Sequence, residues 1–90
     1  MKKVTNQILS AFYNNESKTV QNTKTDGKAI YLHGNKIAEK RSDGIYISNS
    51  GWQSNTTKER LNALQGVSIQ QKDFVWYLNG KAWDGNWIKI

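Results

Sequence analysis

The sequence predicts an α+β domain in which an N-terminal helix is followed by a three-stranded antiparallel meander, one short helix and a C-terminal β-hairpin. Three observations predict this class: apolar residues at helical spacing near the N-terminus, tight-turn pairs between β-branched segments, and a helix-capping sequence in the second half. Ninety residues fit a single domain. We divide it into a helix over 1–13, a polar connection over 14–28 and a β-β-β-α-β-β core over 29–90.

The N-terminal segment has the spacing of an amphipathic helix, with one apolar face that needs a surface on which to pack. The residues that form this face are Val4, Ile8, Leu9 and Phe12. The next segment, 14–28, is rich in Asn, Thr, Lys and Gly, which are typical of turns. We therefore expect a long connection ordered by hydrogen bonds from side chains to the backbone.

Three strands joined by tight turns are predicted from Ala29 to Ser48. The pair Gly34-Asn35 is typical of a two-residue hairpin loop, which places Leu32 opposite Ile37. Strand alternation then separates a buried face from an aromatic one. The predicted buried residues are Ile30, Leu32, Ile37, Ile45 and Ile47, and the opposite face carries Tyr31, His33 and Tyr46.

The second helix is predicted to begin at Thr56. Thr56 as the N-cap and Glu59 three residues later form a capping box, and Gly66 is suited to end the helix in the left-handed conformation. We expect this short helix to cover one face of the sheet.

The C-terminal hairpin is predicted around Asn79-Gly80, the strongest turn pair in the chain. This loop places Trp76 opposite Trp83 on neighbouring strands. Asp84-Gly85 is a competing turn signal, and it allows the last four residues to pair elsewhere.

Composition excludes several kinds of chemistry. Cysteine is absent and His33 is the only histidine, so thiolate metal sites, disulfides and thiol catalysis are excluded. The carboxylates are isolated, and three Asp residues each precede a Gly, which is typical of turns and not of general acids. We therefore expect a non-enzymatic protein without metal or cofactor. No apolar stretch is long enough to span a bilayer, and we expect a soluble, intracellular protein that does not bind membranes.

Charge and aromatic content favour an anionic partner. Thirteen Lys and Arg against seven Asp and Glu give a net charge of +6, and the chain has four Trp and four Tyr. Rings that stack on bases, next to cations that neutralise phosphates, are typical of single-stranded DNA or RNA binding. Alternatively, the rings fill the core and the lysines only confer solubility. The predicted nucleic-acid-binding residues are Lys58, Arg60, Lys72, Trp76, Tyr77, Lys81 and Trp83.

Between residues 22 and 64 the sequence resembles a family of small, mostly uncharacterised bacteriophage proteins. The pattern consists of an Asn-Thr segment, a Leu-His-Gly-Asn turn followed by Ile-Ala, and a Gly-Trp element before Thr-Thr and Arg-Leu-Asn. The resemblance implies a viral origin and an accessory, non-enzymatic role in the host cytoplasm, and it implies no particular activity. The matching residues are Asn22, Thr23, Leu32, His33, Gly34, Asn35, Ile37, Ala38, Gly51, Trp52, Thr56, Thr57, Arg60, Leu61 and Asn62.

The polar residues of this pattern have two interpretations. Asn22, Thr23, His33 and Asn62, together with Arg60, either form one hydrogen-bonded network or line a recognition surface, and we favour the network. Two functions follow from the whole sequence. The first is nucleic-acid binding; the alternative is an interaction module that binds a host or phage protein, or a second copy of itself, through exposed aromatic residues.

Overall fold

Two antiparallel β-sheets and two helices make up the part of the chain that is described by a computed structural model, residues 3–51 and 53–90. Met1, Lys2 and Trp52 lie outside the described residues, so the first residues of the predicted helix and the Trp of the Gly-Trp element are not placed. The helices are α1 (Lys3–Tyr13) and α2 (Asn55–Asn62), and the strands are β1 (Lys18–Val20), β2 (Thr23–Thr25), β3 (Ala29–Leu32), β4 (Asn35–Arg41), β5 (Gly44–Ile47), β6 (Ile69–Lys72), β7 (Val75–Leu78), β8 (Lys81–Trp83) and β9 (Ile88–Lys89).

The larger sheet has six strands in the order β1-β2-β3-β4-β5-β9, and the smaller sheet has the order β6-β7-β8. Both sheets and both helices contribute side chains to one hydrophobic cluster. Helix α1 packs against β1, β2 and β3, and α2 lies between β4 and β6. Of the helices described, none combines the length and apolar composition that crossing a bilayer requires.

The predicted α+β class, with a three-stranded meander and a two-stranded C-terminal hairpin, is wrong: the protein is mostly β. The polar connection predicted over 14–28 contains β1 and β2. The hydrophobic pattern does not predict these strands, because the residues that they bury are Thr and not aliphatic. Thr23 and Thr25 are both fully buried. The Thr25 hydroxyl donates to the Ala29 carbonyl at 2.7 Å and accepts from the Gly27 amide at 3.0 Å, so its burial leaves no hydrogen bond unmade.

The β3–β4 turn differs by one residue from the prediction. His33 and Gly34 are the two turn residues, with φ of 52° and 81°, so Leu32 pairs with Asn35 and not with Ile37. A bulge then leaves Ile37 between the paired residues Lys36 and Ala38. The bulge buries both Ile37 and Ala38, which strict alternation along the strand does not allow.

Helix α2 begins two residues earlier than its capping box predicts. Ser54 is the N-cap, and its hydroxyl accepts a hydrogen bond from the Thr57 amide at 3.1 Å. The predicted N-cap, Thr56, lies inside the first turn. The Glu59 carboxylate does not return to a backbone amide and accepts from the Thr5 hydroxyl of α1 at 2.8 Å. A tertiary contact therefore replaces the predicted local one.

The two predicted turn pairs near the C-terminus, Asn79-Gly80 and Asp84-Gly85, have different roles in the structure. Asn79 and Gly80 form the β7–β8 turn, and Trp76 pairs with Trp83 as that turn predicts. Beyond Asp84-Gly85 the chain leaves the smaller sheet, and β9 pairs with β5 at the edge of the larger one. Two hydrogen bonds fix the segment that connects the two sheets. The Gly85 carbonyl accepts from the Asn49 amide at 3.0 Å and from the Ser48 hydroxyl at 2.8 Å.

We expect Gly85→Ala to destabilise the fold strongly. Gly85 has a φ of 88°, and a Cβ built on it would lie 2.1 Å from Nδ2 of the buried Asn49. The matched control is Gly80→Ala, because Gly80 has a φ of 89° and nothing lies within 4 Å of its Cβ position. This variant should lose only about 1–2 kcal/mol of unfolding free energy, the cost of a left-handed backbone with a Cβ. Urea unfolding should give a loss of about 3 kcal/mol or more for Gly85→Ala. Equal losses in the two variants would contradict the close packing at Asn49.

Candidate functional site

The larger sheet has one face on the core and one face that carries aromatic and charged side chains. Cross-strand partners point to the same side of a sheet. Lys24 pairs with Tyr31, Tyr31 with Lys36, Glu39 with Tyr46, and Tyr46 with Lys89. Trp87 joins them through its contact with Arg41. The open face, as we name it, consists of Lys24, Tyr31, Lys36, Glu39, Arg41, Tyr46, Trp87 and Lys89.

A line of alternating charges crosses the middle of the open face. Glu39 is bound on both sides, by Lys36 Nζ at 3.2 Å and by Arg41 Nε at 2.5 Å. The hydrogen bond from Arg41, followed by the one from Lys36, lowers the pKa of the Glu39 carboxyl below its ordinary value. The carboxylate therefore remains charged at neutral pH and holds the two cations at fixed positions.

Two rings hold the Arg41 guanidinium. Its central carbon lies 4.0 Å from the centroid of the Tyr46 ring and 5.5 Å from that of Trp87. The Tyr46 hydroxyl donates to Asp43 at 2.8 Å, and this bond lowers the pKa of Asp43 and raises the pKa of Tyr46. Each cation–π contact at such an exposed position contributes about 0.5–1 kcal/mol. The result is a cation that is oriented before any partner arrives.

The second polar arrangement surrounds Arg60, which is only 8% exposed. Its Nε donates to the Thr23 hydroxyl at 3.0 Å and one Nη donates to the Thr5 hydroxyl at 2.8 Å. The same Nη forms an ion pair with Glu59. Arg60 therefore joins α1, β2 and α2 in the interior and is not available at the surface.

This network continues to the surface through Asn22. Its Oδ1 accepts from the Thr23 hydroxyl at 2.8 Å and lies 3.5 Å from the second Nη of Arg60. Its Nδ2 lies 3.5 Å from Nε2 of the exposed His33. The structure thus brings together Asn22, Thr23, His33 and Arg60. Asn62 lies apart from them and pairs with the backbone of Ile69, accepting at 2.6 Å and donating at 3.1 Å.

The structure divides the predicted nucleic-acid-binding residues. Trp76 and Trp83 are 1% and 7% exposed, with ring centroids 6.2 Å apart, so these rings fill the core and offer no face for stacking on a base. Lys72 and Tyr77 share the outer face of the smaller sheet, and Lys81 is on the opposite face. Lys58 lies 3.4 Å from Gln71, next to that sheet. These residues and Arg60 do not form one surface.

Most of the open face is not evident from the sequence. Strand alternation predicts Tyr31 and Tyr46 on one side of the sheet, but it does not connect them to Arg41, Trp87 or Lys89. The missing signal was long-range, because Trp87 and Lys89 reach the open face only through the pairing of β9 with β5. Within the described residues no cluster of potential metal ligands is found.

The fold and the site define a small, mostly β protein with an aromatic and basic sheet face. The family model described as Kyanoviridae Gp96 protein matches residues 1–89, and the chain belongs to this family of phage proteins. Comparison with curated proteins gives no match, and comparison with solved structures gives none. The viral origin implied by the sequence pattern is therefore shown.

We expect the Glu39 carboxyl to titrate below 4.5, the ordinary value for Glu, when its ¹³C resonance is followed by NMR. Because folding lowers this pKa, the contribution of Glu39 to stability is complete above the ordinary value and is lost as pH falls through the lowered one. Arg41→Gln should raise the Glu39 pKa, whereas Lys81→Gln, on the other sheet, should leave it unchanged. A Glu39 that titrates at or above 4.5 would contradict the ion pair.

Proposed function

We propose that this protein is a non-catalytic phage accessory protein that binds single-stranded nucleic acid on the open face, in the host cytoplasm. The single observation that supports the proposal is the interleaving of three rings with four cations on one sheet surface. The rings are those of Tyr31, Tyr46 and Trp87, and the cations are Lys24, Lys36, Arg41 and Lys89.

The combination of these groups suits an unpaired strand. Bases stack on aromatic rings with about 1–3 kcal/mol each, and cations beside the rings neutralise the phosphates that connect the bases. Four cations against the two carboxylates, Glu39 and Asp43, leave an excess of positive charge on this surface. The Trp87 side chain is 38% exposed, so part of its ring is accessible to a base.

Arg41 is the best placed of the four cations for a phosphate. Its Nε is bound to Glu39, and its guanidinium plane is held by Tyr46 and Trp87. The hydrogen bond to Glu39 uses Nε, so the two Nη groups are not part of it. A guanidinium oriented in this way loses less conformational freedom on binding than a free Lys.

We expect Arg41→Gln to weaken binding of a labelled mixed-sequence single strand about tenfold at low salt and to reduce the dependence of log affinity on log salt by about one. Fluorescence anisotropy measures both quantities. Lys81→Gln is the matched control, because it removes the same charge from the smaller sheet and should leave the affinity within about twofold.

Two results would contradict the proposal at different levels. Loss of binding in Lys81→Gln with no effect in Arg41→Gln would return the site to the C-terminal hairpin and contradict the open face. Wild-type protein that binds neither single-stranded DNA nor RNA at low salt would contradict the function itself.

A second function, an interaction module for a host or phage protein or for a second copy of the chain, has its own observation. Phe74 is 89% exposed at the tip of the β6–β7 hairpin, next to the exposed Val75. Asp73 and Phe74 have φ of 51° and 67°, a left-handed conformation that costs a residue such as Phe about 1–2 kcal/mol. An exposed aromatic ring held at such a cost is typical of an interface anchor.

We expect Phe74→Gly to leave the fold as stable as the wild type or more stable, by up to about 1 kcal/mol, because Asp-Gly is a favoured pair for this turn. Thermal unfolding measures this effect. If Phe74 anchors a partner, a complex captured from infected host cells, or a dimer seen by sedimentation, should be lost in Phe74→Gly and retained in Val75→Thr. Marked destabilisation by Phe74→Gly would instead give the ring a role in the fold.

A further inference from the structure

A cleft of about 370 Å³ lies between the β3–β4 hairpin and the start of α2. Its volume is within the range of small-molecule sites, roughly 300–1,000 Å³. Leu32 and Ile37, both nearly fully buried, give it an apolar floor. His33, Asn35, Asn49 and Thr56 give it a polar wall.

The wall of this cleft favours a neutral ligand with a flat apolar ring and polar edges. The described residues that line it include no Lys, Arg, Asp or Glu. An Asn amide presents a donor and an acceptor side by side, which is the arrangement that pairs with the edge of a nucleobase. The aliphatic side chains below provide contact for the face of a ring.

Asn49 is held as a fixed part of this wall. Its side chain is almost entirely buried, its Oδ1 accepts from the Gly51 amide at 2.8 Å, and its backbone amide donates to Gly85. Its Nδ2 takes part in neither of these bonds. A donor held on a rigid wall can pair with a ligand that supplies an acceptor.

The cleft and the open face meet at the β3–β4 turn. A neighbouring cleft of about 410 Å³ is lined by Lys24 and Tyr31 of the open face and by Asn22 and His33 of the polar network. His33 lines both clefts. A strand whose phosphates lie along Lys24 therefore passes close to His33, which borders the cleft.

We infer that the cleft between the β3–β4 hairpin and α2 receives one unpaired nucleobase of a strand bound on the open face, an inference that rests on the proposed function. The base leaves its stacked neighbours at Tyr31 and passes His33. It lies on Leu32 and Ile37 with its edge toward the Asn amides. Such extrusion is least costly in a strand that is already single.

The test compares two short single strands of equal length, one of mixed sequence and one in which every position is abasic. Thr56→Tyr fills the cleft, and we expect it to weaken binding of the mixed-sequence strand about tenfold and to leave binding of the abasic strand unchanged. Gln65→Tyr adds the same ring at an exposed position outside the cleft and should change neither affinity. Fluorescence anisotropy at low salt provides both affinities.

Wild-type protein provides a second measurement that does not depend on the folding of a variant. The side-chain amide NMR resonances of Asn35 and Asn49 should shift with the mixed-sequence strand and stay in place with the abasic one. Unchanged amide resonances, or wild-type affinity in Thr56→Tyr, would overturn the nucleobase cleft while binding on the open face stands. Wild-type protein that binds neither strand would overturn the proposed function and this inference together.

Discussion

The buried guanidinium of Arg60 is the contact on which the arrangement of the larger sheet and both helices depends. A charge this deeply buried is tolerated only when it is paired and hydrogen-bonded, and removing a partner from such a group typically costs about 3–5 kcal/mol. Arg60 meets this requirement with Thr5 of α1, Thr23 of β2 and Glu59 of its own helix. Three elements that are distant in sequence are therefore fixed at one point.

The position of the candidate site depends on the hydrogen bonds around Arg60. Asn22 links Thr23 to His33, so the network that orders the interior reaches the β3–β4 turn. That turn separates the open face from the cleft beside α2. The geometry of both surfaces thus depends on this network.

Two sets of aromatic residues have separate physical roles in this chain. The smaller sheet has only three short strands, and the Trp76 and Trp83 rings supply the volume that closes the core beneath it. Large rings contribute the most buried apolar area per residue, which matters in a chain of this size. Tyr31, Tyr46 and Trp87 lie on the other side of the larger sheet, where each ring has a cation beside it. Part of the net charge of +6 is therefore concentrated on the open face.

The sequence by itself determined the local features: an amphipathic first helix, a helix near residue 60, and the Asn79-Gly80 turn with the Trp76–Trp83 pairing. Turn residues and hydrophobic period act over a few residues, so these features can be predicted without the rest of the fold. Only the tertiary structure decided that 14–28 forms strands, that Ser54 and not Thr56 caps α2, and that β9 joins β5. These features depend on partners that no local pattern contains. They are the buried Thr residues, the contact of Glu59 with α1, and a pairing between strands more than 40 residues apart in the chain. The open face was predictable only at Tyr31 and Tyr46 for the same reason: which side of a strand meets solvent is set by what packs on its other side.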